Sequence, residues 1–469
     1  MERLSALDAE FLHVEDGVGH MHIAGVCTFD DPPPGFDELL DLVASKLHRI
    51  PRYRQRVRSV PLDLGRPVWA DDPHFDLGYH VRHTALPAPG DDETFRNLMG
   101  RLMSQQLDRE RPLWEAWLVE GLAGGRWALV FKVHHCMVDG IAGVGLLAQL
   151  LDLDPEPVRV EPVPWAPEPE PAGALKVLDA WQGAAEDVAR SVAQVPQLVT
   201  RPQVAVREAL DTARGLARAA VSLRAAKPHS LGGEIGPHRV WAHAEASLAD
   251  VKRVRRRFGG TVNDVVLAAV GGGFRELLIS RDEDPADTVV RSLVPVSTRH
   301  EDQRGVTTNR VSMLLYELPV QVADPVERLE LVIEQVADLK ASHMAEAGDA
   351  VTRLGDLAPP MLMSTVSRLV VRAMHRLPQR SVTTVTTNVP GPQFPLYCLG
   401  RRMTAYWPYV PITHGVRIGT AILSYDGQLS FGVTGDRETA PDVDLLAHAT
   451  TASITELVGR VDLEVPGPP

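Results

Sequence analysis

The chain has 469 residues, 44% of them hydrophobic and 23% charged, which is the balance of a globular protein long enough to build two cores. Its net charge of −13 repels backbone phosphates overall and argues against a nucleic-acid partner, leaving room only for a local basic face. Cys27, Cys136 and Cys398 are odd in number and far apart, which suits free thiols in a reducing compartment. No signal pattern opens the chain and no run of about 18 uninterrupted apolar residues follows, so a cytoplasmic protein, at most peripheral to a membrane, is expected.

In chain order, Leu4–Phe11 opens with a capping-type Ser5 followed by apolar spacing, and Met21–Val26 reads as a first strand. Glu15 lies on the loop between them, where it is either a solvated carboxylate or a substrate contact. Phe36–Ile50 is an amphipathic helix with Leu39, Leu40, Val43 and Leu47 on one face, and Thr94–Leu107 is a second helix. Pro112, Leu113 and Trp114 then form a turn that feeds a strand through Trp117–Val119.

The apolar, β-branched run Arg126–Val133 predicts a largely buried strand, and the Gly/Ala-rich run Ile141–Leu151 predicts a helix packed on it. Between them stands His134-His135-Cys136-Met137-Val138-Asp139-Gly140. Successive strand side chains point to opposite faces, so only one of the two histidines can meet a substrate; the other packs or bonds on the reverse side. That geometry argues against a metal site built from the adjacent pair. One reachable imidazole suits proton abstraction from an alcohol or thiol. Asp139 is placed to accept a hydrogen bond or pair with an arginine, and Gly140 permits a close backbone approach. Cys136 reads as a small apolar filler beside the histidines.

After Leu151 the composition shifts: seven prolines between Asp154 and Pro171, interleaved with Glu, predict an extended linker. The helical stretch 172–226 follows, and from Arg201 to Lys227 it carries six basic residues against two acidic ones. This divides the chain into 1–153, a connector over 154–230, and 231–469. In the last part, Leu248–Phe258 is a helix, and Asn263 and Asp264 stand at the start of the apolar helix Val265–Ser280, where Asn263 has the chemistry of a cap. Gly271–Gly273 inside that helix demand close packing to offset poor helix propensity. A strand over Val289–Val296 runs into Ser297-Thr298-Arg299, a long helix covers Val326–Met344, and Val366–Arg380 is a basic amphipathic helix. A Thr-rich strand from Val382 ends at Asn388-Val389-Pro390-Gly391-Pro392. Asp426-Gly427 between two apolar runs marks a type I′ hairpin, and a helix over Asp442–Val458 closes the chain.

Taken together, these motifs resemble those of the bacterial wax ester synthase/acyl-CoA:diacylglycerol acyltransferase family, over nearly the whole chain. The resemblance rests on His134-His135-x-x-x-Asp139-Gly140, Pro112-Leu113-Trp114, Asn263-Asp264, Pro295–Arg299, Asn388–Pro392, Ser5-x-x-Asp8-x-x-Phe11 with Met21-His22, and Pro164-Trp165. Thr298 departs from the apolar residue expected before Arg299. The resemblance implies an α/β fold of two chloramphenicol-acetyltransferase-like domains with mixed sheets and an active-site tunnel at their interface. It implies His135 as general base, Asp139 as a structural partner of an arginine such as Arg299, and Asn263 or a backbone N–H as oxyanion donor. It also implies long-chain acyl-CoA as donor, diacylglycerol or a long-chain alcohol as acceptor, and no metal or cofactor. Inner-membrane or lipid-droplet association would follow from those substrates, with the two basic segments as the contact. The rival readings are a superfamily acyltransferase acting on a polyketide or peptide acceptor, and a lipid-binding droplet protein without catalysis.

Overall fold

A computed structural model describes residues 2–30, 32–61, 65–137, 149–156, 161–169, 229–297, 311–341 and 382–463. In chain order the first part holds α1 (Ala6–Val14), β1 (His22–Phe29), α2 (Phe36–Lys46), β2 (Gln55–Arg58), β3 (Val68–Asp71), α3 (Leu77–His80), β4 (Val81–Ala85), α4 (Asp92–Ser104), β5 (Trp114–Glu120) and β6 (Trp127–His134). The second holds β7 (Arg239–Ser247), α5 (Leu248–Phe258), α6 (Val262–Ser280), β8 (Val290–Ser297), β9 (Val311–Leu318), α7 (Pro325–Ala341) and β10 (Thr384–Pro390). It continues with β11 (Tyr397–Cys398), β12 (Arg401–Tyr409), β13 (Ile418–Tyr425), β14 (Gln428–Asp436) and α8 (Val443–Leu463).

These strands form two six-stranded sheets, ordered β11-β12-β1-β6-β5-β4 and β7-β14-β13-β10-β8-β9, beside a β2–β3 hairpin. Both sheets are mixed. In the first, β4 runs parallel to β5 while β5, β6 and β1 are antiparallel neighbours. In the second, β10 is parallel to both β13 and β8. Two strands cross the expected division at residue 231: β11 and β12 come from the second part and join the first sheet, where β12 pairs antiparallel with β1 from Ala24↔Tyr409. Strand pairing is non-local, and nothing in the sequence around Arg401–Tyr409 states which sheet will take it.

Strand β6 is buried along its whole length, as its apolar run predicts. Trp127, Leu129, Phe131 and Val133 enter the core beneath α2 and Tyr53, whereas Ala128 and Val130 enter the core beneath α4. Lys132 shares the α4 face with His134. Its Nζ donates to the carbonyls of Leu102 and Gln105, which satisfies the C-terminal end of α4, and burial pushes its pKa down to about 8.

The second sheet is covered by α5 to α8 around one large apolar core. The glycines of α6 face α7 and α8: a Cβ at Gly272 would collide with Ser453 and Arg328, and one at Gly273 with Thr450 and the Leu446 carbonyl. The helices approach that closely only because those side chains are absent. The cap of α6 is Thr261, not Asn263. Thr261 Oγ1 accepts the Asp264 N–H at 3.3 Å, and Asp264 Oδ2 accepts the Thr261 N–H at 2.7 Å, a reciprocal capping box. The expected I′ hairpin is present, with positive φ at both Asp426 (42°) and Gly427 (85°).

The described part of the proline-rich connector is docked on the first half. Trp165 lies under the Arg54 guanidinium at 4.7 Å and edge-on to Phe75, and the Glu168 N–H donates to Asp71 at 3.0 Å.

Candidate active site

Strand β6 delivers the two histidines to the start of a tight 3₁₀ turn, His135–Met137. Their backbones are tied to both neighbours: the His134 N–H donates to the Leu113 carbonyl at 2.9 Å, and the His135 N–H to the Met21 carbonyl at 2.8 Å. The Pro112-Leu113-Trp114 motif therefore holds the histidine turn directly. Leu113 packs with Cys136 under α1. Trp114 is core, with its Nε1–H on the Tyr53 carbonyl at 2.9 Å and its ring stacked on His80.

His134 points into the protein and is 1% exposed. Its Nδ1 accepts the Cys136 N–H at 3.1 Å, so in the neutral ring the proton sits on Nε2. Nε2 faces Glu15 Oε2 at 3.4 Å, an electrostatic contact that stops short of a well-formed hydrogen bond. Glu15 is the hub of this inner site. His22 Nε2 lies 3.3 Å from its other oxygen, and Arg109 reaches it through Nε at 3.1 Å and Nη2 at 2.5 Å. Arg109 Nη2 also donates to the Leu12 carbonyl at 3.0 Å, tying the end of α1 to the loop before β5. Of the two loop readings of Glu15, the solvated one does not match this placement, because the carboxylate is turned inward, away from solvent. Sequence reasoning missed the site because its arginine comes from 94 residues away.

Burial alone would raise the Glu15 pKa, but the imidazoles of His134 and His22 beside it and the Arg109 hydrogen bonds overcome it and hold the carboxylate well below its usual range. Burial pushes His22 down to about 3, against the pull of Glu15. Both groups bind more protons in the unfolded chain, whose values are 6.5 for His22 and 4.5 for Glu15, so their stabilisation is complete above pH 6.5 and is lost on acidification. The melting temperature is expected to drop by about 2 °C between pH 6.5 and 5, where few carboxylates titrate, and His22→Gln should flatten that drop. An unchanged profile in His22→Gln, measured by thermal scanning, would assign the acid sensitivity elsewhere.

His135 is half-buried and presents its ring to Phe11 of α1, stacked at 3.9 Å between centroids with 27° between planes. Phe11 is a second residue whose role the sequence left unread, although Ser5-x-x-Asp8-x-x-Phe11 marks the helix. Ser5 does cap α1, accepting the Asp8 N–H at 3.0 Å. Cys136 is buried, and burial pushes its thiol pKa well up, so it is a poor nucleophile.

The other candidates sit on the second sheet. Asn388 on β10 donates through Nδ2 to Asn263 Oδ1 at 3.3 Å, which brings the Asn263-Asp264 and Asn388–Pro392 motifs together. Asp264 is committed to its capping box, while Asn263 is free of capping duty. Pro390 ends β10, and Gly391 follows where any Cβ would strike the Ser424 carbonyl. Asp139, Gly140 and Arg299 lie outside the described residues, as do the basic segments 201–227 and 366–380.

Residues 4–266 match the wax ester synthase/diacylglycerol acyltransferase catalytic domain, and residues 307–458 match the C-terminal domain of the same family. The chain belongs to the wax ester synthase/diacylglycerol acyltransferase family. It is similar to a probable diacylglycerol O-acyltransferase of Mycobacterium tuberculosis, 37% identical over 463 residues that cover 98% of this chain and 96% of the relative. The solved wax ester synthase/diacylglycerol acyltransferase of Marinobacter aquaeolei shares 25% identity and a TM-score of 0.69, covering 98% of this chain and all (100%) of that one. The first condensation domain of the calcium-dependent antibiotic synthetase shares the fold at 17% identity and a TM-score of 0.59, covering 99% of this chain and 98% of that domain. This family member thus has the expected chloramphenicol-acetyltransferase-like α/β fold and is an enzyme of the acyltransferase class.

Proposed function

We propose that the protein moves a long-chain acyl group from acyl-CoA to diacylglycerol, forming triacylglycerol, and that it also esterifies long-chain alcohols to wax esters. The observation that carries this reading is the division of labour in the histidine pair. His134 is locked on the inner face by Cys136 and Glu15, while His135 is half-buried at the turn and held by a ring face.

In the proposed reaction His135 takes the proton of the acceptor hydroxyl as its oxygen attacks the thioester carbonyl. An alcohol of high pKa needs that base, whereas the thioester is already activated. The tetrahedral intermediate carries an oxyanion, for which the Asn263 amide or a backbone N–H is the donor. Asn388 holds the Asn263 oxygen, which leaves its N–H groups to donate. Collapse breaks the C–S bond, and coenzyme A leaves as a thiolate that takes the proton back from the His135 imidazolium. The products are ester and free coenzyme A, and no acyl-enzyme forms.

Among the described residues no helix is long and apolar enough to cross a membrane. The proposed lipid acceptor calls for peripheral contact with a membrane or droplet, for which the basic segments of the sequence are the candidates. The test offers purified protein radiolabelled palmitoyl-CoA with diacylglycerol or hexadecanol in separate vesicle-containing reactions. Labelled triacylglycerol, with slower wax ester formation, is expected. Coenzyme A release with neither product would rule out both acceptors.

A further inference from the structure

The imidazole on which the proposed reaction depends has one face already covered. Phe11 lies against the His135 ring in a near-parallel stack, centroids 3.9 Å apart. An aliphatic side chain would fill the same space. An aromatic one adds a quadrupole whose negative face attracts a cation lying on it. His135 becomes that cation only during turnover, when it holds the acceptor's proton.

The helix carrying Phe11 is fixed at both ends. Ser5 bonds the first turn of α1 through the Asp8 N–H at 3.0 Å and the Asp8 carboxylate at 2.6 Å. Arg109 bonds the last turn through the Leu12 carbonyl and Glu15. Ala9 and Leu12 pack on Cys136, so α1 is seated on the same turn that presents His135. That turn is fixed in its own right by the His135 N–H on the Met21 carbonyl at 2.8 Å. Phe11 and His135 are thus held by two independently anchored elements. Among the described residues, the charged groups that act on Cys136 in the same turn are Asp8 and Glu15 at the two ends of α1, Arg109 from the loop before β5, and Arg52 from the turn before β2, with His134 on the reverse face. Glu15 is committed to Arg109, and Arg52 pairs with Glu2.

We propose that Phe11 is a positioning residue for acyl transfer: its ring fixes the plane of the His135 imidazole, and its π face supports the imidazolium formed when His135 takes the acceptor proton. This rests on His135 being the base.

The experiment compares Phe11→Leu and Phe11→Trp in the full-length chain. The His135 ring is followed by NMR titration of histidine-labelled protein, its signal assigned by loss in His135→Ala. The pH profile, kcat and KM for palmitoyl-CoA are measured beside it. Phe11→Leu should lower the His135 pKa by about 0.5 to 1 unit, because the charged form loses its support. It should move the acid limb of kcat down in pH by the same amount, and lower kcat about tenfold with KM within twofold. Phe11→Trp should restore the titration and most of the rate. If Phe11→Leu does not fold, Phe11→Met takes its place with the same expectations. A wild-type titration and pH profile in the aliphatic variant would overturn the proposal and reduce Phe11 to packing. Turnover that survives in His135→Ala would instead overturn the base assignment, an outcome separable because the titration reads the stack without any turnover.

Discussion

His135→Ala is expected to lower kcat for ester formation by about 10²- to 10⁴-fold, with KM for acyl-CoA changed by no more than a few-fold. The imidazole acts on the acceptor's proton in the transition state, so its removal costs rate rather than ground-state binding. His134→Ala should behave differently. It leaves the Cys136 N–H without its acceptor at 3.1 Å and removes one partner of a buried carboxylate, so stability should fall by about 1–3 kcal/mol. Adjacent histidines with opposite responses, one losing turnover and the other stability, would follow from a strand that sends them to opposite faces. Equal losses of turnover at normal stability in both would break that assignment.

Glu15→Ala should lower both stability and turnover from behind the site. The Glu15 side chain is 1% exposed, whereas that of Arg109 is 45% exposed and can return to water. The loss is therefore smaller than for a fully buried pair, about 2 kcal/mol. Turnover should also fall about tenfold, because Arg109 then no longer joins the end of α1 through both Glu15 and the Leu12 carbonyl, and α1 carries Phe11. Glu15→Gln, which keeps the shape, should be intermediate. Arg109→Met combined with Glu15→Ala should cost less than the two single changes added, as expected for residues in direct contact. Strict additivity in chemical denaturation, or a fully stable and active Glu15→Ala, would remove Glu15 from this role.

The strand that carries the histidines, the turn after it and the separation of the pair are legible because they follow from local pattern: an apolar run, a two-residue side-chain period and a motif at its end. The Asp426-Gly427 hairpin and the glycine stripe of α6 are legible for the same reason. The contacts that organise the site come from far away in the chain. Glu15 meets Arg109 and His134, Asn388 meets Asn263, and β12 crosses to pair with β1. None of these leaves a periodic trace. The cap of α6 failed for a smaller reason: Asn263 has cap chemistry, but Thr261 with Asp264 three residues on forms the reciprocal box and takes the position.

A single-turnover experiment tests direct transfer by His135 most directly. Protein in excess is mixed with radiolabelled palmitoyl-CoA, with and without diacylglycerol, quenched in acid at successive times, and assayed for labelled ester, free coenzyme A and label on the protein. With acceptor present, ester and coenzyme A should appear together at one rate, with no label on the protein, and His135→Ala should form neither at a comparable rate. Label accumulating on the protein before ester appears, above all on Cys136, or a His135→Ala variant that keeps pace, would contradict the account.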